Sequence, residues 1–291
     1  MILLLFAVAL SPFTADKVEI INAPEGNVVR LVGSVVIHAQ TATITCQEAT
    51  IYEARNLAVL SGAVKIVDSN STVEADTAYH YLQGSMSLLK RNVSLHSKAR
   101  SIFADSLVYD RGKEQADAFG NVKMVDTVQK FTALSRLGTY DLKRGIGRMT
   151  GQPRALLDRP EKPPIEVASK ILEYQERKNM IHANDSVVVR IDSMLITGDT
   201  LTYDVSAKAG WISNIVMTER ENRVTGNTGR FELVDGQLDE FEVLSGQGTY
   251  LTGEGTQNDI TGSSILFRFS AGRATGIVVT GKPKGYLYLR Q

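Results

Sequence analysis

Residues 73–81, Val-Glu-Ala-Asp-Thr-Ala-Tyr-His-Tyr, return in outline 29 residues later as Ile-Phe-Ala-Asp-Ser-Leu-Val-Tyr-Asp at 102–110. Each phrase leads to a short apolar alternation, Asn-Val-Ser-Leu from residue 92 and Asn-Val-Lys-Met from residue 121. Self-similarity at a fixed period outranks local propensity in reading a fold, because a repeated unit that cannot bury its own apolar face must stack on its neighbours.

The period holds position by position. Val35, Val64, Val93 and Val122 are 29 apart, and Ile37, Ile66, Leu95 and Met124 follow two residues behind each. A second row, Ile44, Val73, Ile102 and Phe131, keeps the same interval, as do Cys46, Ala75, Ala104 and Ala133. Gly33, Gly62 and Gly120 precede the valines by two residues, with Arg91 in that slot once. Further on the interval loosens, but the phrase persists in Gly-Asp-Thr-Leu-Thr-Tyr-Asp at 198–204. Tyrosines 52, 81, 109, 140, 174 and 203, then Phe231 and Phe267, keep the beat, giving about eight units.

Alternation with period two and an excess of β-branched residues make these segments strands. Each unit is expected to hold two, one ending near the Tyr and one beginning after the Gly, joined by polar turns such as 82–85 and 110–113. Residues 172–179 are read as a strand and turn, Leu89-Lys90-Arg91 as a turn, and 272–289 as two strands around a turn. Two architectures satisfy the pattern: a folded-over antiparallel jelly roll and a parallel β-helix.

Lys plus Arg equals 32 and Asp plus Glu equals 32, so the molecule as a whole offers no net attraction to nucleic acid. The single cysteine, Cys46, excludes an internal disulfide framework. Residues 1–15 combine a short apolar run with a small-residue region and read as the remnant of a secretory signal. Residues 16–291 read as a single β-repeat domain, less regular at the junction 150–164 and in the C-terminal part 246–291.

His38, His80, His96 and His182 lack metal-ligand spacing, and no nucleotide-binding fingerprint or cofactor motif is present, so no catalytic, cofactor or metal residues are assigned. Asp76, Asp105 and Asp199 recur because their phrase recurs, which suits a turn or strand-capping role. In a parallel β-helix such carboxylates would stack into the cleft of a polysaccharide-processing enzyme. A non-enzymatic adhesin or scaffold is the other alternative.

The phrases at 75–79, 104–110, 120–126 and 198–204 resemble the OstA-like family, the periplasmic lipopolysaccharide-transport proteins that include LptA and the N-terminal domain of LptD. The resemblance covers residues 20 to 245 and implies an elongated, slightly twisted antiparallel β jelly roll. It implies a periplasmic protein of a Gram-negative bacterium that shields the acyl chains of lipopolysaccharide or a related glycolipid. It also implies end-to-end contact with itself or with related jelly-roll proteins through sheet edges. On this reading Val35, Ile37, Val64, Ile66, Val93, Leu95, Val122 and Met124 form a lipid-facing stripe, with Ile44, Val73, Ile102 and Phe131 a secondary apolar row.

Overall fold

A computed structural model describes residues 12–287 apart from 25, 40–41, 82–85, 98, 252–256 and 271–272. The expected turn at 82–85 and residues 1–11 of the expected signal lie outside the described residues. The strands are β1 (Phe13–Thr14), β2 (Lys17–Ala23), β3 (Gly26–His38), β4 (Ala42–Tyr52), β5 (Leu57–Asp68), β6 (Ser71–Tyr81), β7 (Met86–Ser97), β8 (Arg100–Asp110), β9 (Gln115–Asp126), β10 (Phe131–Asp141) and β11 (Ile146–Thr150). They continue as β12 (Arg154–Arg159), β13 (Lys162–Ala168), β14 (Ile171–Gln175), β15 (Met180–Ile191), β16 (Met194–Asp204), β17 (Ala209–Glu219), β18 (Asn222–Val234), β19 (Gln237–Leu251), β20 (Gln257–Ser270), β21 (Arg273–Thr280) and β22 (Lys284–Leu287). Residues 172–179 give strand β14 and a 3-10 turn closed by Asn179 in the left-handed region, as Asn56 closes the equivalent turn after β4.

The chain divides into two compact units, one of residues 1–128 and 134–147, the other of residues 129–133 and 148–291. The irregular stretch 150–164 falls inside the second. In the first unit β3 to β9 pair in chain order, each antiparallel to the next. In the second unit β15 to β20 do the same. A parallel β-helix needs parallel ladders between successive coils, so that alternative, with its enzyme cleft of stacked carboxylates, is overturned.

Each strand is longer than the expected unit allows, because glycine does not begin a strand but stands in its middle. Gly33-Ser34, Gly62-Ala63, Arg91-Asn92 and Asp185-Ser186 all have positive φ, and each pair lies opposite one residue on the next strand: Gln47, Asp76, Asp105 and Asp199 respectively. Two residues against one is a β-bulge, which bends the strand and resets its alternation. In β6 the buried side chains are Ser71, Val73 and Ala75 before this corner and Ala78 and His80 after it. Leu89-Lys90-Arg91 is therefore no turn between strands. It lies within β7, where Leu89 is buried and Arg91 begins the corner.

The margins of each unit are built from split strands. β1 and β2 lie end to end along β3, and Ala15 between them packs against the core. β13 and β14 share β15 in the same way. At the C-terminal side β21 and β22, expected as two strands around a turn, both pair with β20 and run along it one after the other.

Candidate functional site

The inward side chains of the first unit form two ladders. One is Ile37–Ile44–Ile66–Val73–Leu95–Ile102–Met124, each residue directly opposite the next across β3 to β9. Ile37, Ile66, Leu95 and Met124 of the stripe thus alternate within a single row with Ile44, Val73 and Ile102 of the secondary row, one residue per strand. Direct opposition places their Cβ atoms about 4.5–5.5 Å apart, so β-branched neighbours pack along it without gaps.

The second ladder, Leu31–Ala49–Leu60–Ala78–Leu89–Leu107–Ala118, runs on the other side of the corners. Sequence reasoning missed it, although Leu31, Leu60, Leu89 and Ala118 keep the 29-residue interval and Ala49, Ala78 and Leu107 keep it too. Leu31, Leu60 and Leu89 pack in one cluster with Ile37, Ile44, Ile66, Val73 and Leu95, which Ile102 joins from a half-buried position. Full burial of each such side chain is worth about 1.5–3 kcal/mol, so this interior dominates the cohesion of the unit.

Val35, Val64 and Val93 lie in the same cluster, opposite Cys46, Ala75 and Ala104. Val122 is buried and Met124 half-buried. Phe131 falls in the second unit, where its ring meets Tyr174 edge-on at 6.2 Å.

The second unit has an aromatic row: Tyr174, Ile181, Tyr203, Gly210, Phe231, Phe241 and Phe267 are successive partners across β14 to β20. Tyr203 and Phe231 stack at 6.0 Å over Gly210, where a Cβ would lie 2.6 Å from Phe231 Cζ. Tyr174, Tyr203, Phe231 and Phe267, the later part of the aromatic beat in the sequence, lie in this row, whereas Tyr52, Tyr81, Tyr109 and Tyr140 belong to the first unit.

The recurrent aspartates clip strands together at the corners. Asp76 accepts two hydrogen bonds from the Asn92 amide at 3.1 and 3.2 Å, and Asp105 two from Asn121 at 3.0 and 3.2 Å. Asp199 accepts one from Asn214 at 2.6 Å. Three of the four histidines bond hydroxyls on the neighbouring strand, His80 with Ser87, His96 with Ser101 and His182 with Thr202, all near 3.0–3.1 Å. Among the described residues no three His, Cys, Asp or Glu side chains are grouped to hold a metal ion. Burial pushes the Cys46 thiol up to about 11, which leaves it protonated and unreactive at neutral pH.

Two charges sit inside. Arg159 is almost wholly buried, donating from Nε to the Pro163 carbonyl at 2.7 Å and through its two terminal nitrogens to Asp192. Asp126 is buried beside Arg100, whose Nε lies 2.8 Å from it. No helix among the described residues is long and apolar enough to cross a membrane.

Residues 10–144 match the family model for OstA-like proteins. No curated protein matches the chain. Among solved structures the chain is similar to LptH, described as the LptA homologous periplasmic component of the conserved lipopolysaccharide transport device from Pseudomonas aeruginosa, at 13% identity and a TM-score of 0.22. That match covers 46% of this chain and 76% of LptH. The family match spans nearly the whole first compact unit, with its antiparallel repeats and continuous apolar ladders: over residues 10–144 this chain is similar to the OstA-like family.

Proposed function

We propose that the protein is a periplasmic lipopolysaccharide-binding transport component, covering acyl chains within its β-repeat interior as part of a bridge to the outer membrane of a Gram-negative bacterium. The observation that carries the reading is the uninterrupted ladder from Ile37 to Met124 within an OstA-like unit. An acyl chain of about twelve carbons costs roughly 9 kcal/mol to expose to water, at about 0.8 kcal/mol per CH₂, so cargo of this kind needs a continuous apolar cover. Non-directional packing along equivalent rungs gives cover without a deep trap. No chemical step is involved.

In the structure the ladders on the two sides of the corners pack on each other. Loading requires them to part about those corners, and acyl chains then replace side-chain contacts with contacts of the same kind. The partners fit the margins: β2 pairs with β3 on one side, and its Val18, Ile20 and Ile21 are exposed at 47%, 67% and 52%. Such a strand extends readily by β-augmentation with a second copy or a related jelly-roll protein. The alternative of a closed, non-enzymatic scaffold or adhesin is favoured by one observation, the burial of Ile37, Ile44, Ile66 and Val73 by the protein's own side chains.

Photo-crosslinking separates the two. A benzophenone amino acid placed at Ile102, half-buried in the ladder, is expected to capture lipopolysaccharide in cells, whereas the same probe at the outward-facing Phe103 is not. Capture at neither position, in protein shown to be folded, would turn the assignment to the closed scaffold.

A further inference from the structure

The second unit carries a groove of about 440 Å³ on its outer face, away from the apolar interior. Its floor is two adjacent rows across β18, β19, β20 and β22. Arg223, Thr249, Asp259 and Tyr286 are successive partners in one, and Thr225, Gln247, Thr261 and Lys284 in the other. The intervening Val224 is buried in the core and Ile260 packs against it, so these rows face outward. Four strands at about 4.8 Å spacing make each row about 14 Å long.

The chemistry of the rows is specific. Thr225 donates its hydroxyl hydrogen to the Gln247 carbonyl at 3.4 Å, Thr249 to Asp259 Oδ1 at 2.8 Å and Thr261 to the Lys284 carbonyl at 3.3 Å. Thr249 thereby presents only its lone pairs, while Thr225 and Thr261, 3.3–3.4 Å from backbone carbonyls, can donate or accept, so a ligand rich in hydroxyls can meet all three. Tyr286, 73% exposed, offers an aromatic face at one end. Arg223 and Lys284 have no ion pair among the described residues, and Asp259 is the one carboxylate of the groove, which leaves a surplus positive charge.

We propose that this face binds a short anionic oligosaccharide, with sugar hydroxyls donating to the threonine oxygens, a ring resting on Tyr286, and an acidic substituent drawn to Arg223 and Lys284. The sugar chain can be free or the polar part of a glycolipid, since the two rows meet it through hydroxyl, amide, aromatic and charged side chains. The inference therefore stands independently of acyl-chain binding in the first unit.

The test titrates the full chain with three probes: the oligosaccharide of fully deacylated lipopolysaccharide, intact lipopolysaccharide, and neutral maltohexaose. Saturable binding of the deacylated oligosaccharide is expected, at least about five-fold tighter than maltohexaose, a difference of roughly 1 kcal/mol. Tyr286→Ala should weaken it, and Arg223→Gln with Lys284→Gln should abolish the preference for the charged sugar. Because Arg223 lies on an interior strand, whereas Lys284 and Tyr286 both stand on β22, a weakened preference in Arg223→Gln alone cannot be put down to detachment of β22. Equal binding of the intact lipid would identify the sugar as the recognised part. Absence of saturable binding of the deacylated oligosaccharide, binding of intact lipid alone, or affinities unchanged in all variants would overturn the proposal.

Discussion

Arg159 grips Asp192 through two hydrogen bonds, at 2.7 and 3.2 Å, while its own side chain is only 1% exposed. The pair joins β12 to the turn after β15 within the second unit. Removing one partner strands a buried charge, so Asp192→Ala is expected to cost about 3 kcal/mol, whereas replacing both residues with apolar ones of similar volume should cost much less. Chemical denaturation of the single and double variants checks this.

The same pair gives a pH dependence. The hydrogen bonds from Arg159 hold the Asp192 carboxyl below its usual range, against the opposing effect of burial. A carboxyl depressed on folding contributes stability that is present above its unfolded value, about pH 4, and is lost as pH falls through the folded value. Stability measured from pH 6 down to pH 2 should therefore fall less steeply in Asp192→Asn than in the parent. Parallel curves would refute the assignment.

At the corner beside β8, Gly120 has φ 71° and a Cβ there would collide with the Asp105 carboxylate. Gly120→Ala should destabilise by about 1–3 kcal/mol from backbone strain and crowding together. Adding Asp105→Ala relieves the crowding, so the double variant is expected to lose less than the sum of the singles. Strict additivity in thermal melts would show that crowding contributes nothing.

Gly210 makes room for the stacked rings of Tyr203 and Phe231. Gly210→Ala is expected to destabilise the second unit by about 1–3 kcal/mol, the usual range for overpacking. Phe231→Leu in the same chain should recover part of that loss, which a double-mutant cycle reads directly.

Cys46 is buried opposite Val35, and its thiol is pushed up to about 11. Maleimide labelling at pH 7.5 should be negligible in the folded protein and complete in denaturant. Rapid labelling of the native chain would mean that the first unit opens at this rung.

Much of this was legible in the residues. The interval between Val35, Val64, Val93 and Val122 marks equivalent places in alternate strands, because in a meander of constant strand length a fixed interval returns the chain to the same place on every second strand. The alternation picked the inward side chains, since a strand with one buried face must place apolar residues two apart. The recurrence of Asp76, Asp105 and Asp199 signalled a structural part, and they proved to clip Asn92, Asn121 and Asn214.

The interval could not say which rows face each other. Ile37 and Ile44 become partners only through the pairing of β3 with β4, a relation between strands that no spacing within one strand records. Nor could it place the corners: Gly62-Ala63 reads as a strand start until the pairing shows two residues opposite Asp76, and Arg91-Asn92 performs the same bend without glycine. The sequence by itself determined that this protein is a β repeat with an apolar face, because periodicity and side-chain chemistry are local properties. Only the tertiary structure decided that the strands run antiparallel, that residues of the two apolar sets alternate within one ladder, and that a groove forms across β18, β19, β20 and β22. Those depend on backbone hydrogen bonds between distant residues, which fix register and direction together.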